Sequence, residues 1–376
     1  MNFFRNTPFD PFQSEINLIQ DELTGLFAVE DVQTRGRGQV IAFRGRVLSP
    51  PETIFEELQY RLERHDYLPV LQRHGDQDVL LAIKGVAQQK AGSSIFVHLL
   101  LFLATLFTTI GAGAGLNGEN LLSAIATADP AQILQAVIAG IPFAAALLLI
   151  LGIHELGHYA AARYHRINVS LPYFIPMPFS AIGTMGAFIS LRAPMRDRRV
   201  LFDVGVAGPI AGFLVAVPIF MIGLWLSPVI PDVGRQATLD RFGLSLLTSA
   251  LVSLLKDVPA GYSVAFHPVL FASWLGLFIT SINLLPLGQL DGGHTIYAVF
   301  GRSAHAISRL TFALLLVAGF LFSSQWLFWA FFALLGGLDH QPPLNDITPL
   351  DAPRKRIAFF TLVMFLITFV PRLSFN

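Results

Sequence analysis

Ten residues, Leu149-Ile150-Leu151-Gly152-Ile153-His154-Glu155-Leu156-Gly157-His158, place two imidazoles and a carboxylate in a stretch otherwise fit for lipid. On a helix, residues four apart stand one turn apart on the same face. His154 and His158 therefore converge, with Glu155 between them. This is the HExxH pattern, in which paired histidines hold a metal ion and the glutamate polarises a water. Ionisable groups are costly inside a bilayer, so those that occur there mark a functional site. The chain must then supply a membrane fold around a metal-binding helix.

Composition agrees with that requirement. Of 376 residues 53% are hydrophobic and 13% charged, against about a quarter charged in soluble domains. The fold class is a polytopic α-helical membrane protein. A formal net charge of zero leaves no basic field for nucleic acid. The absence of cysteine excludes disulfides, Cys-ligated zinc, iron–sulfur clusters and thiol catalysis. Met1 to Pro8 lack the apolar core of a signal peptide, so the N-terminal region is expected to stay on the side of synthesis.

Residues 1–90 alone have soluble composition. Phe27 to Gln33 and Gly38 to Leu48 read as strands around an Arg35-Gly36-Arg37-Gly38 turn, for which a hairpin is a simpler account than nucleic-acid contact. Pro50-Pro51-Glu52 opens a helix with Ile54, Phe55, Leu58 and Leu62 at helical spacing. Tyr67 to Gln72 and Val79 to Val86 read as two more strands around Gly75-Asp76. The predicted order is β-β-α-β-β, a small α+β domain without a catalytic constellation.

Residues 91–375 form the membrane domain. After a polar linker, Lys84 to Ser94, the uncharged run Ile95 to Gly115 is long enough to cross a bilayer, which takes about 20 residues. Asn117 to Asp129 is polar, and Asp129-Pro130 opens the motif helix, 131–164. Ile133 to His158 rises about 37 Å, so the histidines fall toward the far end of that span. Arg163, Arg166, Arg192, Arg196, Arg198 and Arg199 flank the next stretch against only Asp197, which predicts a cytoplasmic loop. Within it, residues 167–191 are apolar, yet Pro172, Pro176, Pro178, Gly183 and Gly186 forbid a spanning helix. Such backbone is tolerated at membrane depth only beside protein or a wet cavity. A re-entrant β-hairpin with strands near Ser180 to Ile189 meets that demand and offers an edge to an extended peptide; a proline-rich interfacial loop is the alternative. The next span, 200–227, carries Gly205, Gly208-Pro209 and Gly212, whose spacing lets another helix approach. Leu239 to Leu255 reads as an amphipathic surface helix in a long loop whose basic residues are Arg235, Arg241 and Lys256.

The helix over 268–293 ends in Asn283-Leu284-Leu285-Pro286-Leu287-Gly288-Gln289-Leu290-Asp291-Gly292-Gly293-His294. Hydrolytic zinc takes three protein ligands and keeps one open position. Glu155 is the last glutamate of the chain, so no downstream glutamate is left as third ligand. The extended HExxHxxGxxH pattern fails at Ala161 and Tyr164. His165 lies about 10 Å along the axis from His158, too far for one ion. Asp291, expected at the same membrane face as the histidines, is the favoured candidate, and His294 its rival. Asn283 is an amide on an apolar helix; it donates to a developing oxyanion or bonds to a neighbouring helix.

His154-Glu155-Leu156-Gly157-His158, Gly208-Pro209-Ile210-Ala211-Gly212 and Asn283 through Leu290-Asp291-Gly292-Gly293 together resemble the site-2 protease family of intramembrane zinc metalloproteases, in order and separation, over about residues 95–375. The small N-terminal domain, the lack of a PDZ-like insertion and Asp339-His340-Gln341-Pro342-Pro343 resemble the photosynthetic subgroup related to plastid ethylene-dependent gravitropism-deficient proteins. The resemblance implies that His154, His158 and Asp291 hold Zn2+, that Glu155 activates water against a peptide carbonyl, and that Asn283 orients substrate or stabilises the oxyanion. It also implies that Ser180 to Ile189, with Gly183-Thr184-Met185-Gly186, is a re-entrant hairpin clamping a membrane-protein substrate as an added strand.

His305 to Phe322, Gln325 to Leu338 and Ile357 to Val370 read as three more spans, giving seven crossings; the short spacing before Gln325, little more than Ser323-Ser324, leaves six as the alternative. In that topology the N-terminal domain, the arginine loop, Gly288 to Ser303 and Arg354-Lys355-Arg356 are cytoplasmic, in a bacterial inner or photosynthetic membrane. A divalent-metal transporter would also place His, Asp and Asn in helices, but transporters usually carry internal repeats, and the sequence has no second copy of the His-Glu segment or of Asn283 to Asp291. A catalytically silent binding protein would have no need of Glu155.

Overall fold

Apolar residues along Val40–Val47 and Gln77–Lys84 build the sheet of the first of two units, which comprises residues 1–90, 194–199 and 341–350. The computed structural model describes residues 12–35, 39–85, 94–232 and 238–370; the Met1 to Pro8 segment, Gly36 to Gly38 of the Arg-Gly turn, linker residues 86–93 and Arg235 lie outside these. Helices α1 (Gln13–Glu22) and α2 (Pro51–Glu63) press Ile19, Phe55, Leu58 and Leu62 onto Ile41, Phe43 and Leu80. The strands β1 (Phe27–Arg35), β2 (Val40–Val47), β3 (Tyr67–His74) and β4 (Gln77–Lys84) are antiparallel in the order β1-β2-β4-β3.

Two features of this unit depart from expectation. Helix α1 precedes the strands, so the order is α-β-β-α-β-β; its buried Ile16 and Ile19 fill under three turns, and the Phe12 carbonyl at its start accepts the Ile16 N–H at 2.9 Å. The outer edge of β3 is occupied by the segment around Asn345, which lies between the last two predicted spans. Leu71 N–H donates to Leu344 O at 2.6 Å and Asp346 N–H to Leu71 O at 2.8 Å. Leu344 enters the core, and buried Asn345 donates to Thr348 Oγ1 at 2.8 Å and Pro51 O at 3.3 Å. Three arginines counted for topology are paired here: Arg196 with Glu56 at 2.7 Å, Arg198 with Asp346 at 2.8 Å and Arg199 with Glu52 at 3.6 Å.

The second unit, residues 91–193, 200–340 and 351–376, is helical. It runs α3 (Ile95–Leu116), α4 (Leu121–Ala126), α5 (Pro130–Tyr164), strands β5 (Tyr173–Pro176) and β6 (Thr184–Phe188), and α6 (Arg198–Leu226). There follow β7 (Val229–Pro231), α7 (Leu239–Phe242), α8 (Leu246–Leu255), β8 (Tyr262–Val264), α9 (Pro268–Asn283), α10 (Asp291–Phe300), α11 (Ala304–Leu321), α12 (Gln325–Gly336) and α13 (Ala352–Thr368). Among the described residues four helical stretches are long and apolar enough to cross a membrane: Ile95–Leu116, Pro130–Tyr164, Arg198–Leu226 and Asp291–Leu321, the last being α10 and α11 in succession. The chain is a membrane protein with a β-rich N-terminal region.

Helix α9 is apolar on every face and buried on nearly all of them, as a helix enclosed by other helices should be. Trp274, Leu277 and Phe278 join Leu147 and Ile150 of α5 in the main core. Several sequence boundaries are corrected. The helix drawn over 268–293 breaks at Asn283, because Pro286 cannot continue it, and restarts at Asp291. The Gly288 to Ser303 segment contains α10. Leu239 to Leu255 is two helices, parted by Gly243 at φ +94° and a Ser245–Thr248 capping box. Arg354 lies in the first turn of α13, where Asp351 accepts its backbone N–H.

Candidate metal centre

The motif helix begins at Asp129, whose carboxylate accepts the Ala131 and Gln132 N–H groups at 2.9 and 3.3 Å, with Pro130 in the first turn where its missing N–H costs nothing. Some 25 residues later the helix buries His154, Glu155 and His158. The two Nε2 atoms stand 3.2 Å apart. His158 Nδ1–H donates to the Val204 carbonyl of α6 at 2.7 Å, which leaves Nε2 as the free lone pair.

Asp291 arrives from α10. Gly292 and Gly293 let this helix start sit on the preceding turn: a Cβ at Gly292 would lie 2.1 Å from Leu284 O, and one at Gly293 2.2 Å from Gly288 O. Ser308 Oγ pins that turn, accepting Gly288 N–H at 3.2 Å and donating to Pro286 O at 3.0 Å. Asp291 Oδ2 then lies 3.3 Å from each imidazole Nε2. It is buried and makes no hydrogen bond. One donor atom from each of His154, His158 and Asp291 falls within 4.8 Å of the others. A buried carboxylate oxygen facing two imidazole lone pairs is a stable arrangement around a cation and a costly one otherwise. Two histidines and a carboxylate also match the donor sets of hydrolytic zinc sites.

Helix α6 fits over these rings by its small residues. A Cβ at Gly208 would meet His158 Nε2 at 2.1 Å, one at Gly212 would meet His154 Nδ1 at 3.0 Å, and one at Gly205 would meet His294 Cβ at 2.9 Å. The glycine spacing read as helix packing is therefore also room for the imidazoles. Beside them a cavity of about 100 Å3 is lined by Glu155, His154, Asn283, Gly276 and residues 185–187 of β6. Asn283, at the end of α9, brings Nδ2 to 3.5 Å from His154 Nε2.

The hairpin β5-β6 is antiparallel, Tyr173 opposite Phe188, with a bulge near Pro176. Ser180, expected near the start of a strand, is in the connecting turn, where its hydroxyl accepts Gly183 N–H at 2.9 Å. Helix α3 braces the hairpin: Thr108 Oγ1 donates to Gly183 O at 2.6 Å, and His98 Nδ1 to Pro172 O at 3.2 Å. His294, the rival ligand, is not brought into the cluster; its Nδ1 is 2.5 Å from His340 Nε2. His340, buried on Tyr297 with ring centroids 4.6 Å apart, lies in the Asp339 to Pro343 stretch that carries the subgroup resemblance, but nothing in that stretch points to its contact with His294.

The comparisons with known proteins fall on the same residues. The profile of peptidase family M50 matches residues 142–324. "Probable zinc metalloprotease EGY1, chloroplastic" of Arabidopsis thaliana is 26% identical over 95% of this chain and 71% of its own length. The rice (Oryza sativa subsp. japonica) protein of that name is 30% identical over 73% of this chain and 50% of its own. "Probable zinc metalloprotease EGY2, chloroplastic" of Arabidopsis thaliana is 29% identical over 87% and 59% respectively. This chain thus spans little more than half the length of the latter two. Matched profile and relatives together show that the chain carries a domain of peptidase family M50, the site-2 protease family, and is homologous to the EGY proteins.

Proposed function

We propose that this chain is an intramembrane zinc metalloendopeptidase that cuts membrane-protein substrates within or near a transmembrane segment, as in regulated intramembrane proteolysis. The observation that carries the reading is the unpartnered Asp291 Oδ2 lying 3.3 Å from both motif imidazoles. His154, His158 and Asp291 would hold the zinc, which would supply Lewis acidity there. Glu155 takes a proton from the attacking water and passes it to the amide nitrogen as the C–N bond breaks, leaving a new carboxylic acid group and an amine. Asn283 Nδ2 donates to the carbonyl oxygen as charge develops on it.

The substrate enters unwound, as an extended segment beside β6. Unwinding frees peptide N–H and C=O groups that lipid cannot satisfy, and pairing with a strand edge satisfies them. Met185, Gly186 and Ala187 line the cavity that Glu155 enters, which supports this choice of edge. We place seven crossings on α3, α5, α6, α9, α11, α12 and α13, with the first unit and the metal centre on the cytoplasmic side of a photosynthetic or bacterial inner membrane. Helix α12 has 12 residues, the fewest of these, and six crossings is the count without it. The chain has no cysteine, so single cysteines at Ser323 and Asp339 report directly which side each occupies.

Cleavage of a model single-span protein tests the reading. Glu155→Gln is expected to lower the rate by at least about 100-fold with zinc retained. Undiminished cleavage in that variant would exclude Glu155 as the base, and an unaltered metal flux across vesicles containing it would favour transport.

A further inference from the structure

Helices α10 and α13 turn apolar stripes toward each other and leave between them a cleft of about 260 Å3. Ile296 and Val299 form one wall, Ala358, Leu362 and Phe365 the other, and Lys355 stands at one end. Lys355 to Phe365 spans about 15 Å of helix. The cleft faces outward, since Phe300, Phe359 and Leu362 on its rim are 53%, 68% and 50% exposed.

Size, polarity and charge narrow the occupant. Water needs two to four polar partners, and the two hydroxyls in the walls are spent on their own helices: Thr295 Oγ1 donates to Asp291 O at 2.8 Å and Thr361 Oγ1 to Ile357 O at 2.9 Å. A single hydrocarbon chain suits both the volume and the walls. At the end of the cleft, Arg354 is bound by Asp203 and Asp351, whereas the exposed ammonium of Lys355 makes no ion pair among the described residues. Basic residues at the mouth of an interhelical pocket select anionic headgroups.

We infer that the α10–α13 cleft binds an anionic membrane phospholipid, one acyl chain lying between Ile296 and Leu362 and the phosphate meeting Lys355. The site is separate from the hydrolytic reading and stands or falls without it. Native mass spectrometry of the full chain in detergent, titrated with phosphatidylglycerol or with phosphatidylcholine of identical chains, tests it. Wild type is expected to retain one phosphatidylglycerol in preference to phosphatidylcholine by about fivefold. Lys355→Glu abolishes that preference while a lipid is still held, and Ala358→Phe, which fills the cleft, loses the retained lipid of either kind. Leu310→Phe, on an exposed part of α11, leaves both properties unchanged. The proposal is overturned if the preference survives Lys355→Glu, if the retained lipid survives Ala358→Phe, or if Leu310→Phe removes it equally. Displacement of phosphatidylglycerol by a single-span peptide that cross-links to Ile296 would also overturn it, making the cleft a protein site.

Discussion

Gly208 lies so close to His158 that a Cβ at that position would stand 2.1 Å from Nε2, the atom that faces Asp291. No rotation of the imidazole preserves both that aim and the Nδ1 hydrogen bond to Val204. Gly208→Ala should therefore lower zinc affinity by at least about 10- to 100-fold, the cost of disturbing a ligand's support. Gly212→Ala, whose Cβ would meet His154 at 3.0 Å, should cost less. Zinc retained after dialysis against a graded chelator series measures both, and equal retention in Gly208→Ala and wild type would contradict the packing.

Asn283 shares the small cavity with Glu155, and its Nδ2 lies 3.5 Å from His154 Nε2. Asn283→Ala is expected to slow cleavage by about 100- to 1000-fold, the cost of losing an oxyanion donor, with zinc unchanged. Single-turnover cleavage and metal content on one sample separate the roles. Loss of zinc would make the amide a support for His154 instead.

Leu344 seals the core of the first unit from a segment far along the chain, and its backbone pairs with Leu71 of β3. Leu344→Ala should destabilise that unit by about 2–5 kcal/mol. Amide exchange at Leu71 and Leu80 in the full chain should rise correspondingly. Unchanged protection there would mean that the segment adds nothing to the fold.

A surface cluster gives the first unit a pH dependence. The hydrogen bond from Lys84 and then that from the Tyr67 hydroxyl hold the Glu15 carboxyl below its ordinary value of 4.5. Its folded pKa is depressed, so the contribution is complete above pH 4.5 and disappears as the pH falls through the folded value. Exposure to solvent keeps it small. The difference in melting temperature between wild type and Glu15→Gln should be present at pH 7 and shrink on acidification. A difference that grew toward acid would contradict the assignment.

What the sequence discloses about this site follows from how local each relationship is. His154, Glu155 and His158 sit within one helical turn, so spacing alone brings them together. Asp291 is 133 residues from His158 and was reached by exhausting glutamates and the nearer histidines, with its flanking glycines as a further cue. The His294–His340 contact joins residues 46 apart, with α11 and α12 between them, and no periodicity encodes it. Pro286 is a break that proline chemistry announces, but the restart of a helix at Asp291 is not legible, because Asp-Gly-Gly reads equally well as a turn. The arginines between Ala193 and Val200 read as topology signals; their pairing with Glu52, Glu56 and Asp346 depends on a fold that composition does not describe.

Zinc content of the purified chain, with cleavage scored on the same samples, tests the central claim most directly. Wild type and His294→Ala should each carry close to one zinc per chain, and His154→Ala and Asp291→Ala should lose it together with cleavage. Zinc retained in Asp291→Ala and lost in His294→Ala would contradict the account, moving the third ligand three residues along α10.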